Sequence, residues 1–133
     1  MTGRRSPRIA TEPRTASWID DAVVGGGGEV VGPGDATGVV WTHASAPDDL
    51  RALLDAHPQI DWVQLPWAGV EPYRHVFDHD RTWTCAKGVY SDPVAELALA
   101  MLLAGLRHEH ANTRAHTWTR QEGRNLFGAR VAV

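Results

Sequence analysis

Cysteine is almost absent from this 133-residue sequence: Cys85 stands alone, which excludes an internal disulfide framework and fits a reducing compartment. An excess of positive charge is missing too. Lys and Arg number 13 against 16 Asp and Glu, for a net charge of −3. The one basic cluster, Arg4, Arg5, Arg8 and Arg14, has no aromatic residues interleaved with it, so no nucleic-acid partner is expected. No apolar segment of the signal type follows Met1, and the uncharged apolar run from Leu97 to Leu106 is half of the roughly 20 residues that cross a bilayer. A cytoplasmic protein with no membrane partner is the expectation. There is also no Gly-x-Ser-x-Gly elbow, which leaves a serine hydrolase without a foothold.

What remains is ordinary globular composition, 43% apolar and 22% charged, at the length of about one domain. Its most marked segment is Ser91 to Arg107. Asp92 is placed to cap a helix, Pro93 suits a first helical position, and Glu96 lies near the positive dipole end. Val94, Leu97, Ala98, Met101 and Gly105 fall on one side of that helix, with Leu99, Leu102, Leu103 and Leu106 on the adjoining side. A helix apolar nearly all round is expected to be buried on more than one face.

Strand-like and helix-like runs alternate before it. Arg8–Thr11 reads as a strand, Thr15–Val24 as a helix, Glu29–Val31 and Gly38–Thr42 as strands, and Pro47–His57 as a helix closed by Pro58. Ile60–Leu65 is the clearest strand. A short helix over Glu71–Phe77 and a further strand over Thr82–Ala86 follow, then a loop into the long helix. This alternation predicts βαβ units and an α/β fold with a parallel five-stranded sheet, for which the flavodoxin-like order 2-1-3-4-5 is one solution. The glycines at 25–28 follow a helix and precede a strand, the reverse of a phosphate-binding turn, and are read as a helix C-cap. His75 and His79 are four apart, but with the Asp-rich helix end beside them no metal site is expected. The last run, Asn125 to Val133, reads as the start of an apolar strand.

Four segments, in this order and spacing, resemble the D-isomer-specific 2-hydroxyacid dehydrogenase family over roughly residues 9–133. They are Ile60–Leu65 leading into Ala68-Gly69-Val70-Glu71; Thr84 to Gly88; Val94-Ala95-Glu96 with its leucine-rich helix to Arg107; and Leu126-Phe127-Gly128 before Arg130–Val133. The resemblance implies a flavodoxin-like substrate domain over residues 1–90. Residues 91–133 would then be the start of a nucleotide-binding domain, an interdomain helix plus the first strand of a truncated Rossmann domain. It implies a parent enzyme that interconverts 2-oxoacids and D-2-hydroxyacids with NAD or NADP and is a homodimer.

Carried over by position, Ala68, Gly69 and Val70 would line the substrate pocket, with amides around Gly69 and Val70 receiving the substrate carboxylate. A glycine in a tight strand-to-helix turn lets main-chain donors converge on an anion, although the same glycine also serves in a plain turn. Lys87 and Tyr90 would lie on the substrate side of the cleft, and Val94 near the nicotinamide. The family's glycine motif and its catalytic Arg, acidic residue and His would lie beyond Val133, so no catalytic residue is assigned and the chain is expected to be inactive alone. The competing expectation is a non-catalytic α/β module that binds a small carboxylate, or a partner protein through the 94–106 helix.

Overall fold

The computed structural model describes residues 6–118, 120 and 122–132. Two compact units emerge, Met1–Gly88 and Val89–Val133. In the first, five strands form one all-parallel sheet: β1 (Arg8–Glu12), β2 (Glu29–Val30), β3 (Gly38–Trp41), β4 (Trp62–Gln64) and β5 (Thr82–Thr84), in the order β2-β1-β3-β4-β5. This is the flavodoxin-like order the alternation allowed. Helix α1 (Ser17–Gly25) links β1 outward to β2, and α2 (Pro47–Ala56) links β3 to β4 in the opposite direction. Right-handed crossovers that travel in opposite directions leave their helices on opposite faces.

The register sorts the side chains. Ala10, Val39, Val63 and Trp83 stand opposite one another across β1, β3, β4 and the edge strand β5. Their face packs against Leu50 and Leu54 of α2 together with Trp41, Ile60, Leu65, Tyr73 and Val76. Pro47 at the first helical position and Asp48 and Asp49 in the first turn start α2, as its fixed φ and the dipole favour. The opposite face carries Ile9, Val40 and Trp62, and here cover is thin, since no residue of α1 is buried. Gly38 belongs to this side. A Cβ there would lie 2.7 Å from Trp62 Cε3 and 2.9 Å from Ile9 Cδ1, so the missing side chain is what lets the indole lie across the sheet.

Two fastenings close the ends. The glycine run caps α1 as its position after a helix predicted: the Gly26 amide bonds Ala22 O at 3.0 Å, the Gly28 amide bonds Val23 O at 2.9 Å, and Gly27 takes φ +86°. At the carboxyl end of β1, Thr42 ties the loop after β3 to the loop after β1. Its amide donates to Glu12 O at 2.7 Å, and its hydroxyl accepts from the Arg14 amide at 3.2 Å while standing 2.8 Å from Arg14 O.

Behind β5, Arg81 bonds three groups at once. Its Nε donates to Ile60 O at 2.9 Å, one terminal nitrogen donates to Leu54 O at 3.2 Å, and the other pairs with Asp78. Burial works against the Asp78 carboxylate, but the guanidinium beside it prevails and holds the carboxyl below its usual range. Phe77 stacks obliquely on Trp83 in the same corner, 4.8 Å between centroids.

The second unit contains α3 (Ser91–Leu106) and α4 (Glu109–Asn112), with His108 between them at φ 54°. Three expectations need correction here. The cap is Tyr90, and Asp92 sits inside the first turn with no side-chain cap bond, because the helix begins two residues earlier than a capping aspartate requires. No α3 residue is buried, and Leu97 is 60% and Met101 67% exposed; the apolar pattern demands cover but does not say which chain supplies it. The terminal segment forms no strand among described residues 122–132. Turns occupy 126–128, with the Ala129 amide bonded to Leu126 O at 2.9 Å. A parallel strand exists only by pairing with neighbours, and this unit has no described strand to offer.

Smaller differences follow the same logic. The short helix at Glu71–Phe77 is a 3-10 turn over Glu71–Tyr73, Pro72 fitting a first turn, with turns rather than helix over residues 74–76. Among the described residues no helix is long and apolar enough to cross a membrane.

Candidate functional site

In open α/β sheets ligands bind outside the carboxyl ends of the strands, next to the point where strand order reverses. Here that point lies between β1 and β3, and the Thr42 hydrogen bonds draw the two loops together across it. At the same edge lies the turn after β4, Pro66 to Val70, which contains the predicted substrate residues. Ala68 and Gly69 are exposed and Val70 half-buried.

The turn is held from both sides. The Leu65 amide donates to Thr84 O at 2.8 Å and the Ala86 amide to Trp67 O at 3.2 Å, extending the β4–β5 pairing past the strands. Lys87, exposed, follows directly on that second bond, so its backbone is carried alongside the 67–69 turn. On the other side, the Tyr73 amide bonds Val70 O at 3.0 Å, and the buried Tyr73 hydroxyl donates to His43 O at 2.8 Å. Burial raises the Tyr73 phenol above its ordinary value, with the neighbouring Trp41 indole pulling the other way. The turn thus rests on a buried phenol that reaches back to the end of β3.

One charge complicates carboxylate capture. Glu71 Oε2 lies 2.9 Å from where a Cβ on Gly69 would be, which puts a carboxylate directly over the turn. An incoming anion would be repelled there unless the exposed Glu71 side chain turns away to solvent.

Ala68, Gly69, Val70 and Lys87 all belong to the first unit. Tyr90 and Val94 are exposed residues of the second, Tyr90 preceding α3 and Val94 in its first turns. Sequence reasoning missed Tyr73, His43 and Glu71. The His43 ring accepts at Nδ1 from the Ser45 amide at 3.2 Å, which in the neutral ring leaves the proton on Nε2. Its place at the last turn-off from a strand was the signal that could have marked it. His75 Nε2 pairs with Asp48 Oδ1 at 3.0 Å on the surface, and among the described residues no three potential metal ligands gather. Cys85 is half-buried. The second unit has a polar hollow of about 360 Å³ lined by Arg107, Glu109, Asn112, Glu122 and Gly123.

No family model and no solved structure matches the chain. A protein of Corynebacterium melassecola, described as an uncharacterized protein in the proB 3' region, is 33% identical to it over 100 residues, which are 73% of this chain and 31% of that protein. The chain therefore spans about a third of that relative's length. What stands on fold and comparison together is an α/β protein with an all-parallel five-stranded sheet and an anchored turn at the carboxyl end of β4.

Proposed function

We propose that this chain is the substrate-side portion of an NAD(P)-dependent oxidoreductase that interconverts 2-oxoacids and D-2-hydroxyacids, and that it is silent in catalysis when alone. The observation that carries the reading is the position of Ala68-Gly69-Val70 at the carboxyl end of β4 in a 2-1-3-4-5 parallel sheet. There the family's segment and the general location of ligands in such sheets coincide.

In this reading the amides of Gly69 and Val70 receive the substrate carboxylate, Ala68 contacts the rest of the 2-oxoacid, and Lys87 draws the anion in. Glu71 must swing out first. The family resemblance would add Tyr90 to the substrate side and would set Val94 near a nicotinamide held by residues other than the described ones. The cofactor would supply the hydride. Among the described residues no strand-to-helix glycine turn cradles a pyrophosphate, so these residues do not fit NAD or NADP and no step is assigned through it. A cytoplasmic homodimer for the complete enzyme belongs to the same reading.

The test is a titration of 15N-labelled protein with pyruvate and bulkier 2-oxoacids, alongside an NADH oxidation assay. Saturable shifts confined to residues 67–71 and 87, with no oxidation of NADH, are expected. Turnover by this chain alone contradicts the claim of silence, and an unresponsive 67–71 turn overturns the assignment of the carboxylate site. The exposure of α3 favours a second reading, a non-catalytic module that meets a partner protein through residues 94–106; carboxylate binding by the 67–71 turn counts against its partner-protein form.

A further inference from the structure

The turn after β4 combines free donors with one free charge. The amides of Leu65 before it and Tyr73 after it are engaged, whereas among the described residues those of Ala68, Gly69 and Val70 make no hydrogen bond. Converging main-chain donors of this kind suit a carboxylate. Beside them, Glu71 Oε2 lies 2.9 Å from where a Cβ on Gly69 would be. That carboxylate is exposed, and no described ion pair engages it, although Arg74 follows three residues later. Its charge therefore stands over the turn without a bonded cation.

Lys87 lies on the other flank, its backbone carried alongside by the Ala86 amide bond to Trp67 O. The turn is thus bordered by one cation and one anion, an arrangement that suits one incoming carboxylate and opposes a second. We propose that Glu71 is a specificity-determining residue that restricts this site to 2-oxoacids with a single carboxylate and an uncharged remainder, and rejects dicarboxylic 2-oxoacids. The proposal rests on the reading that residues 67–71 hold the substrate carboxylate.

Distance carries the selection. In a five-carbon dicarboxylic 2-oxoacid the two carboxyl carbons are at most about 5 Å apart. With the first carboxylate on the turn, the second stays inside a Debye length of it, which is about 8 Å at physiological salt. Glu71 can swing clear of the first carboxylate, but it is tethered two residues from Gly69 and keeps its charge close by. Like charges about 5 Å apart in water weaken binding by about fourfold. A methyl group in place of the second carboxylate feels no such repulsion.

Two matched ligands test it. 2-Oxopentanoate and 2-oxoglutarate share a five-carbon chain and differ in ending on a methyl or a carboxylate. Each is titrated into the 15N-labelled full chain and into Glu71→Gln, at about 20 mM and about 500 mM salt, with unchanged amide positions outside the turn verifying the fold. At low salt the parent is expected to bind 2-oxopentanoate about fourfold or more tighter than 2-oxoglutarate. Glu71→Gln should shrink that ratio by about threefold or more, and high salt should shrink it in the parent. A parent that binds both ligands alike overturns the proposal. A ratio that Glu71→Gln leaves unchanged overturns it too, and makes Glu71 a barrier to every anion alike. Should the variant not fold, the parent decides alone, because a ratio indifferent to salt overturns an electrostatic selector. If neither ligand shifts residues 67–71 in either protein, the carboxylate site itself is overturned, and the specificity proposal with it.

Discussion

Replacing Arg81 by Gln is the most informative perturbation of the first unit. The guanidinium is 16% exposed and the Asp78 carboxylate 31%, so the pair sits between a surface salt bridge, worth about 0 to 1 kcal/mol, and a buried one, whose rupture costs about 3–5 kcal/mol. Two further bonds, to Ile60 O and Leu54 O, leave carbonyls unsatisfied when the fork is removed, at about 1–3 kcal/mol for a fully buried group. These contributions overlap because they share one side chain, and partial exposure reduces each. A loss of about 2–4 kcal/mol is expected. Urea unfolding followed by tryptophan fluorescence reads it directly. With a slope of about 1–1.5 kcal/mol/M the midpoint should fall by about 2 M. Arg81→Lys should recover less than half, since a single ammonium cannot reach three acceptors in fixed directions. If Arg81→Gln lies within about 0.5 kcal/mol of the parent, the corner is not the clasp its geometry indicates.

Gly38→Ala should cost about 1–3 kcal/mol through overpacking against Trp62 and Ile9, visible as a lower urea midpoint together with a shifted tryptophan emission. Tyr73→Phe removes the bond to His43 O and should cost about 1–2 kcal/mol, with amide shifts concentrated at residues 70–73 and 43; ultraviolet titration of the parent should find one tyrosine ionising above the usual range, a feature that urea abolishes. Because the folded Asp78 carboxyl lies below its unfolded value, its contribution is fully present above about pH 4 and fades as pH falls through the folded value. Acid unfolding of Asp78→Asn should accordingly show a shallower loss of stability below about pH 4 than the parent; an unchanged slope would remove Asp78 from the account.

Local chemistry made the first unit legible. Pro47 opening a helix, Pro58 after it and glycines at 25–28 after another helix are signals that act within a few residues, and the alternation they punctuate is a parallel sheet. What escaped was long-range. Tyr73 meets His43 across 30 residues, and Gly38 makes room for Trp62 only because the register sets them opposite each other. Nothing in the neighbourhood of either residue states its partner. In the candidate site, the glycine turn was visible as a turn, but the Glu71 carboxylate over it depends on a side-chain rotamer. In the second unit, the apolarity of α3 states a need for cover without naming what supplies it, and the run from Asn125 to Val133 carries strand propensity with no described strand in its unit to pair with.

Thr42 bears on how the sheet comes to a stop. Pro13, next after β1, has no amide hydrogen, so a rung of the ladder is lost there, and the following amide of Arg14 would be left facing outward. The threonine hydroxyl takes that amide in place of a backbone carbonyl, acting as a one-residue surrogate for a strand that has run out. Valine would match its shape and forfeit its oxygen, and the two loops would then be laced only by the amide of residue 42 on Glu12 O, loosening at the strand-order reversal a seam that the native hydroxyl keeps stitched.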